Sequence, residues 1–333
     1  SMQRRRLGAD GPLVSAIGVG AMSFTAFYGP TTEAASHAVL RTALELGIDH
    51  LDTSNVYGLG LSERVIGSFL RDHCGPPPFT IATKAGIRRD PETGARSFDN
   101  SQAHLEAELD ASLQRLGVDT IDLFYVHRRD PAIPIEAVTE TLAGFVRAGK
   151  IKSFGFSEIA PSSLRRAAAV HPVAAVQSEY SLATRYPELG LIQACAALGT
   201  ALVAYSPVAR GLLTDHPPTP ATVAESAFLA ANPRFTGTNL EANLALSDRL
   251  RQLAGEMGEP TAALAIAWLL HRSAQVIPIP GTRSPEHLRE LARGAEIDLA
   301  AEDLARIEAV LPVGWAHGDR YSAQQWVGPE RYC

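Results

Sequence analysis

"LGIDHLDTSNVYGLG", residues 46–60, begins as a short apolar run and gives out into a polar loop carrying Asp52, Tyr57 and two closely spaced glycines. A carboxylate at the very end of a buried strand is the pattern of a barrel whose chemistry sits at strand C-termini. The same kind of run recurs along the chain, as "SAIGVG" (15–20), "IDHLD" (48–52), "FTIAT" (79–83) and "IDLFYVH" (121–127), then "IKSFGFS" (151–157), "VAAVQS" (173–178), "ALVAYS" (201–206) and "QVIPIP" (275–280). Between these runs lie helix-period stretches such as 33–47, 100–117, 135–149 and 262–272. Near-continuous apolar strands joined by helical crossovers predict parallel strands covered by helices. Eight such units favour a closed (β/α)8 TIM barrel over an open doubly wound sheet. The "GADG" turn at 8–11 predicts an N-terminal β-hairpin placed to plug one barrel end. Residues 211–239, rich in proline, are too long for a simple connection and read as an irregular functional loop inserted before the last βα unit. No linker divides the chain, so residues 1–333 are expected to form one domain.

Composition excludes several function classes. The net charge of −6 is spread along 333 residues, and beyond "RRR" at 4–6 no basic block suggests nucleic acid or a membrane surface as partner. The three cysteines, Cys74, Cys195 and Cys333, form no CxxC and are odd in number, which argues against a disulfide framework or a thiolate metal site. With no signal segment and no membrane-length apolar run, a reducing cytoplasm is the expected compartment. Oligomeric state is not readable.

Polar groups gather at the strand ends. Asp52 ends the second run, Tyr57 follows five residues later, Lys84 follows the third run and His127 ends the fourth. Each has a plain structural reading: a helix cap, an interfacial ring, a solvated loop charge, a core histidine. Together, a carboxylate, a phenol, an ammonium and an imidazole at the same ends of three successive strands point to chemistry, because charges are rarely buried without partners. A carbonyl that accepts hydride develops alkoxide charge, which a proton donor beside a positive charge stabilises. Tyr57 is the donor of choice. Lys84 would draw its pKa from ~10 towards neutrality, Asp52 would hold Lys84, and His127 would orient the carbonyl.

The blocks "DTSNVYG", "ATKAG", "RLGVDTIDLFYVHRRDP", "RAGKIKSFGFSE", "VQSEYSL", "AYSPVARGLL" and "IPIPGTRSPEHLREL" resemble those of the aldo-keto reductases, in order and spacing, over nearly the whole chain. "VHRRDP" with "FGFSE" is most similar to the bacterial and plant branch of NADPH-dependent members. The resemblance implies metal-independent, reversible hydride transfer between NADPH (or NADP+) and a small-molecule aldehyde, ketone or alcohol, with Asp52, Tyr57, Lys84 and His127 as the catalytic tetrad. It further implies that Ser157 and Gln177 hold the nicotinamide carboxamide and that Tyr205 stacks on the ring, although a tyrosine there is as often a core ring. Ser206, Pro207 and the loop to Leu212 would meet the pyrophosphate; Gly281, Thr282, Arg283 and His287 would take the 2′-phosphate, and Glu290 the adenine. "GVG" at 18–20 is a poor dinucleotide fingerprint and reads better as a strand-to-loop turn. Two departures stand out: Glu158 replaces the family's usual asparagine, and Leu291 replaces the asparagine of its Glu-Asn pair. Phe27, Trp315 and Trp326 are candidates for the substrate mouth, with packing against the barrel equally open. Two other function classes stand beside this reading: an NADPH-binding regulatory or redox-sensing subunit with the same motifs, and a lyase or phosphate-processing barrel sharing only the architecture, which is disfavoured because no His and carboxylate set at metal spacing appears.

Overall fold

The computed structural model describes residues 2–333. Twelve strands run in chain order as β1 (Arg4–Arg6), β2 (Leu13–Ser15), β3 (Val19–Gly20), β4 (His50–Asp52), β5 (Thr80–Ala85), β6 (Ile87–Arg89), β7 (Arg96–Phe98), β8 (Ile121–Val126), β9 (Ile151–Ser157), β10 (Ala175–Glu179), β11 (Ala201–Tyr205) and β12 (Val276–Pro278). Eight of them, β3, β4, β5 and β8 to β12, form one parallel sheet in that order. Its two edges meet: the Gly18 N–H donates to Pro278 O at 2.9 Å and the Gly20 N–H to Pro280 O at 3.0 Å. The (β/α)8 barrel is therefore closed. Gly20 belongs to this seam, since a Cβ there would stand 2.7 Å from Ile279 O, and Gly18 makes room for His50, whose Nδ1 would lie 2.4 Å from a Cβ. Close approach, and no phosphate-binding turn, explains the "GVG".

Strand residues two apart share a face. On the inner face of the barrel the lower layer is apolar, with Ala82, Leu123, Ala175, Ala201, Val203 and Ile277 packed together, and the β1/β2 hairpin adds Leu7 and Val14 to this cluster as a plug. Further up the strands the same face becomes polar: Lys84 and Gln177 lie two residues beyond Ala82 and Ala175, Ser157 is the partner of Gln177 in register, and His127 follows Leu123 by four residues. The larger apolar cluster lies between strands and helices, where Leu40, Leu109, Leu142 and Trp268 are buried. Among the described residues no helix is long and apolar enough to cross a membrane.

Two stretches differ from the sequence reading. Residues 211–239 are not irregular: Pro220–Ala224 and Ala227–Ala231 are short helices capped by Thr219 and Ser226, and Asn232 caps a 3-10 turn before the helix Gly237–Met257. Ser, Thr and Asn just before Pro or an apolar turn were the available signals. The segment after β5 forms a second hairpin, β6/β7, whose turn is fixed by Asp90 Oδ1 accepting from the N–H groups of Glu92 and Thr93.

Candidate active site

β4, β5 and β8 deliver the four expected groups to one place. Lys84 is fully buried inside β5, opposite Tyr125 in register, and does not itself line the cavity. Its ammonium pairs with Asp52 Oδ1 and donates to Thr53 O and Tyr57 Oη, both at 3.0 Å. All three donors are thus engaged, and the phenol oxygen accepts from lysine, leaving the phenol's own proton free for the cleft. The second Asp52 oxygen accepts from Gln177 Nε2 at 2.8 Å. His127 stands edge-on to Tyr57, ring centroids 5.8 Å apart, with Nδ1 3.1 Å from Ser54 Oγ.

The electrostatics correct one expectation. Burial pushes the Tyr57 phenol up, Lys84 opposes it, and the balance is above the ordinary tyrosine value. Before cofactor binds the phenol is protonated at neutral pH, where the sequence alone suggested a value drawn towards neutrality. Burial works against the Lys84 ammonium, but Asp52 and Tyr57 outweigh it and raise its pKa. His127 is driven well below its usual range by burial and by the charges of Arg128, Lys84, Arg96 and Arg89, so its imidazole is neutral.

A cavity of about 1200 Å³ opens above these groups. Asp52, Tyr57, His127, Ser157, Gln177, Tyr205, Ser206, Pro207, Gly281, Thr282, Arg283, His287 and Glu290 line it; so does Leu291. Leu212 does not: its side chain is in the core, its N–H turns back to Ala209 O and its carbonyl accepts from Arg251. Phe27 lines the cavity, whereas Trp315 is buried with its indole donating to Leu182 O, and Trp326 lies outside with its indole on Asp319. The aromatic wall is built from Tyr28 and Tyr321, which lie in the aromatic stretches 27–29 and 315–333 of the sequence, and from Phe228 of the capped helix 227–231, which the sequence reading missed. No periodicity marks Phe228, because its helix is only five residues long.

Glu158 is buried and does not line the cavity. At φ +60°, a conformation strained for a non-glycine residue, it turns into a cluster behind Tyr205. There it takes Arg320 Nη2 at 2.6 Å, the Tyr205 hydroxyl and the Cys333 thiol. Tyr205 Oη also lies 2.5 Å from Tyr321 Oη. Beside them Glu179 is ringed by Arg210, Arg320 and Arg234; burial pushes its carboxyl up, but the three guanidiniums hold it down at about 2. Arg320, far off in the sequence, was the missed partner that makes a buried glutamate tolerable.

Comparison with known proteins fits this geometry. A sequence profile of the aldo/keto reductase family matches residues 16–312. The chain belongs to that family. A curated aldo-keto reductase of Schizosaccharomyces pombe, named with NADP(+), is 38% identical over 324 residues, covering 96% of this chain and 95% of that protein. Among solved structures, a glycerol dehydrogenase of Gluconobacter oxydans superposes with a TM-score of 0.81 at 27% identity, over 92% of this chain and 94% of that one. A holo aldo-keto reductase of Bacillus halodurans gives 0.78 at 25% identity, over 98% and 100%. This aldo/keto reductase is accordingly an oxidoreductase with the (β/α)8 fold of its relatives.

Proposed function

We propose that this protein reduces small aldehydes or ketones to alcohols with NADPH, using Tyr57 as the proton donor. The observation that carries this reading is the Tyr57 phenol, 3.0 Å from a buried ammonium, beside a neutral histidine on the cavity floor. The residues present fit the cofactor. Ser206, Ala209, Arg210 and Gly211 have positive φ, and this loop leaves the N–H groups of Val208 and Arg210 without a partner among the described residues, a cradle suited to a pyrophosphate. The helix Pro285–Arg293, capped by Ser284, presents its N-terminus beside Arg283, where a 2′-phosphate is favoured. Ser157 and Gln177, neighbours in register on β9 and β10, offer a hydroxyl and an amide to a carboxamide.

When bound, the nicotinamide supplies the hydride. The protein holds the carbonyl oxygen between Tyr57 and His127. Ser54 Oγ lies 3.1 Å from His127 Nδ1, and with the serine as donor the neutral imidazole carries its proton on Nε2, available to that oxygen. As charge grows there, Tyr57 gives up its proton, and the phenolate left behind is stabilised by Lys84, whose charge Asp52 secures. Removing a general acid typically lowers the rate by ~10²–10⁴. Tyr57→Phe should therefore keep NADPH affinity, read by fluorescence titration, and lose turnover across an aldehyde panel. Retained kcat would refute the role; NADPH binding with no turnover in the wild type would favour the regulatory alternative.

A further inference from the structure

The substrate side of the cavity carries three arginines that form no salt bridge among the described residues, although the buried Glu158 carboxylate acts on Arg128 from a distance. Arg89 and Arg96, on β6 and β7, and Arg128, next to His127, all line it. Arg89 and Arg96 are direct cross-strand partners, an arrangement of like charges that destabilises a hairpin. Their neighbour Arg88 is paired with Asp99 at 3.0 Å, so the hairpin supplies a counter-ion where none is needed for the site and omits it where the cavity begins. Arg128 is nine-tenths buried; it donates to His127 O at 2.7 Å and Ser157 Oγ at 3.0 Å, and its Nε has no partner. The carboxylates lining the cavity are Asp52, already held by Lys84 and Gln177, and Glu290, which shares the other end with Arg283 and His287.

We propose that Arg89, Arg96 and Arg128 bind an anionic group, a carboxylate or a phosphate, carried by the carbonyl substrate itself. The inference rests on the reductase reading and names its substrate class. Guanidiniums match both oxyanions through paired N–H donors, and an occupied site would relieve the Arg89–Arg96 repulsion. The cofactor's phosphates are an unsuitable explanation, because their candidate cradles lie at 206–211 and 283–287. The reaction is unaltered by the anchor: the carbonyl carbon gains a hydride from NADPH, its π bond opens, the oxygen gains the Tyr57 proton, NADP+ remains, and the carboxylate or phosphate is untouched.

The test pairs each anion with a neutral analogue: 4-oxobutanoate against its methyl ester, and glyceraldehyde 3-phosphate against glyceraldehyde. One anion should show a KM about ten-fold or more below its neutral partner, and which one does identifies the group. Arg89→Gln and Arg96→Gln should each raise that KM by about ten-fold, leaving the neutral KM and NADPH affinity unchanged. Equal KM values within both pairs would overturn the proposal while leaving the reductase reading intact. Failure to reduce all four would instead remove the reductase reading. Calorimetric titration of the NADP+-loaded protein with succinate and with inorganic phosphate then decides the anion site alone: binding weakened in both variants supports it, and binding of neither, or binding indifferent to the variants, overturns it.

Discussion

Arg320→Met tests whether the buried charge cluster behind Tyr205 stabilises the fold through Glu158. Arg320 is fully buried, bonded to Glu158 at 2.6 Å and Glu179 at 3.4 Å, and packed between the rings of Tyr321 and Trp326 at 4.4 and 4.5 Å. Glu179 keeps Arg210 and Arg234 in the variant; Glu158 keeps the Tyr205 hydroxyl, the Cys333 thiol, a long contact of 3.4 Å from the Glu179 N–H, and more distant charge. Breaking one partner out of a buried pair costs about 3–5 kcal/mol. For a chain of this length the unfolding entropy is about 0.7 kcal/mol per kelvin, so Tm should fall by roughly 4–7 °C at pH 7. Burial alone would raise the Glu158 carboxyl, but Arg320, Arg128 and Tyr205 bring it below its ordinary value. A depressed carboxylate contributes stability above its unfolded pKa, near ~4.3, and loses it as pH falls through the folded value. In the variant burial prevails, Glu158 is penalised at neutral pH, and protonation lifts the penalty. The difference in Tm between the two proteins should therefore shrink as pH is lowered from 7 to 4.5, and Arg320→Met with Glu158→Gln should be more stable at pH 7 than Arg320→Met alone. Scanning fluorimetry over that range checks both. A deficit that does not change with pH, or no rescue in the double variant, would refute the account and leave ring packing as the role of Arg320.

Other outcomes follow from the site and the seam. Because the Tyr57 phenol titrates above its ordinary value in the cofactor-free protein, aldehyde reduction should stay level from pH 6 to 9 and fail only as the phenol ionises, while alcohol oxidation, which needs the phenolate, should climb with pH; steady-state profiles in both directions read this. Arg283→Ala should weaken NADPH by roughly 10- to 150-fold, the worth of a charge-assisted phosphate contact, and barely change NADH, as measured by fluorescence titration. Gly20→Ala, allowed by its φ of −82° but placing a Cβ 2.7 Å from Ile279 O, should destabilise by about 1–3 kcal/mol in urea melts, since backbone must move.

The barrel was legible because period and turn signals repeat eight times, and the gathering of Asp52, Tyr57, Lys84 and His127 because polar residues interrupt apolar strands where nothing structural requires them. Lys84 shows the limit of that reading: the sequence places it after a strand, while the structure buries it within one, where Asp52, the Thr53 carbonyl and Tyr57 make it acceptable. Glu158 was noticed as a departure, yet its partner lies 162 residues away in a tail without pattern, and long-range pairing leaves no local mark. Phe228 and the arginines of the second hairpin were missed for the same reason. Leu212 went the other way: its motif suggested the cofactor, but its apolar side chain is held by the core.

The seam between β3 and β12 joins the first barrel strand to the last, and the loops that leave those strands are neighbours above it. Arg283, after β12, donates to Pro30 O, after β3, at 3.1 Å, bridging 253 residues of sequence. Loop-closure entropy has to be met before such a contact returns anything, so this joint belongs among the late events of folding. A chain with its helices formed and the seam still open holds the cavity wall of residues 20–35 apart from the proposed cofactor loop at 281–290. Regain of NADPH binding during refolding should then lag the return of helical circular dichroism, and a substitution at the seam should lengthen that lag while leaving the earlier phase alone.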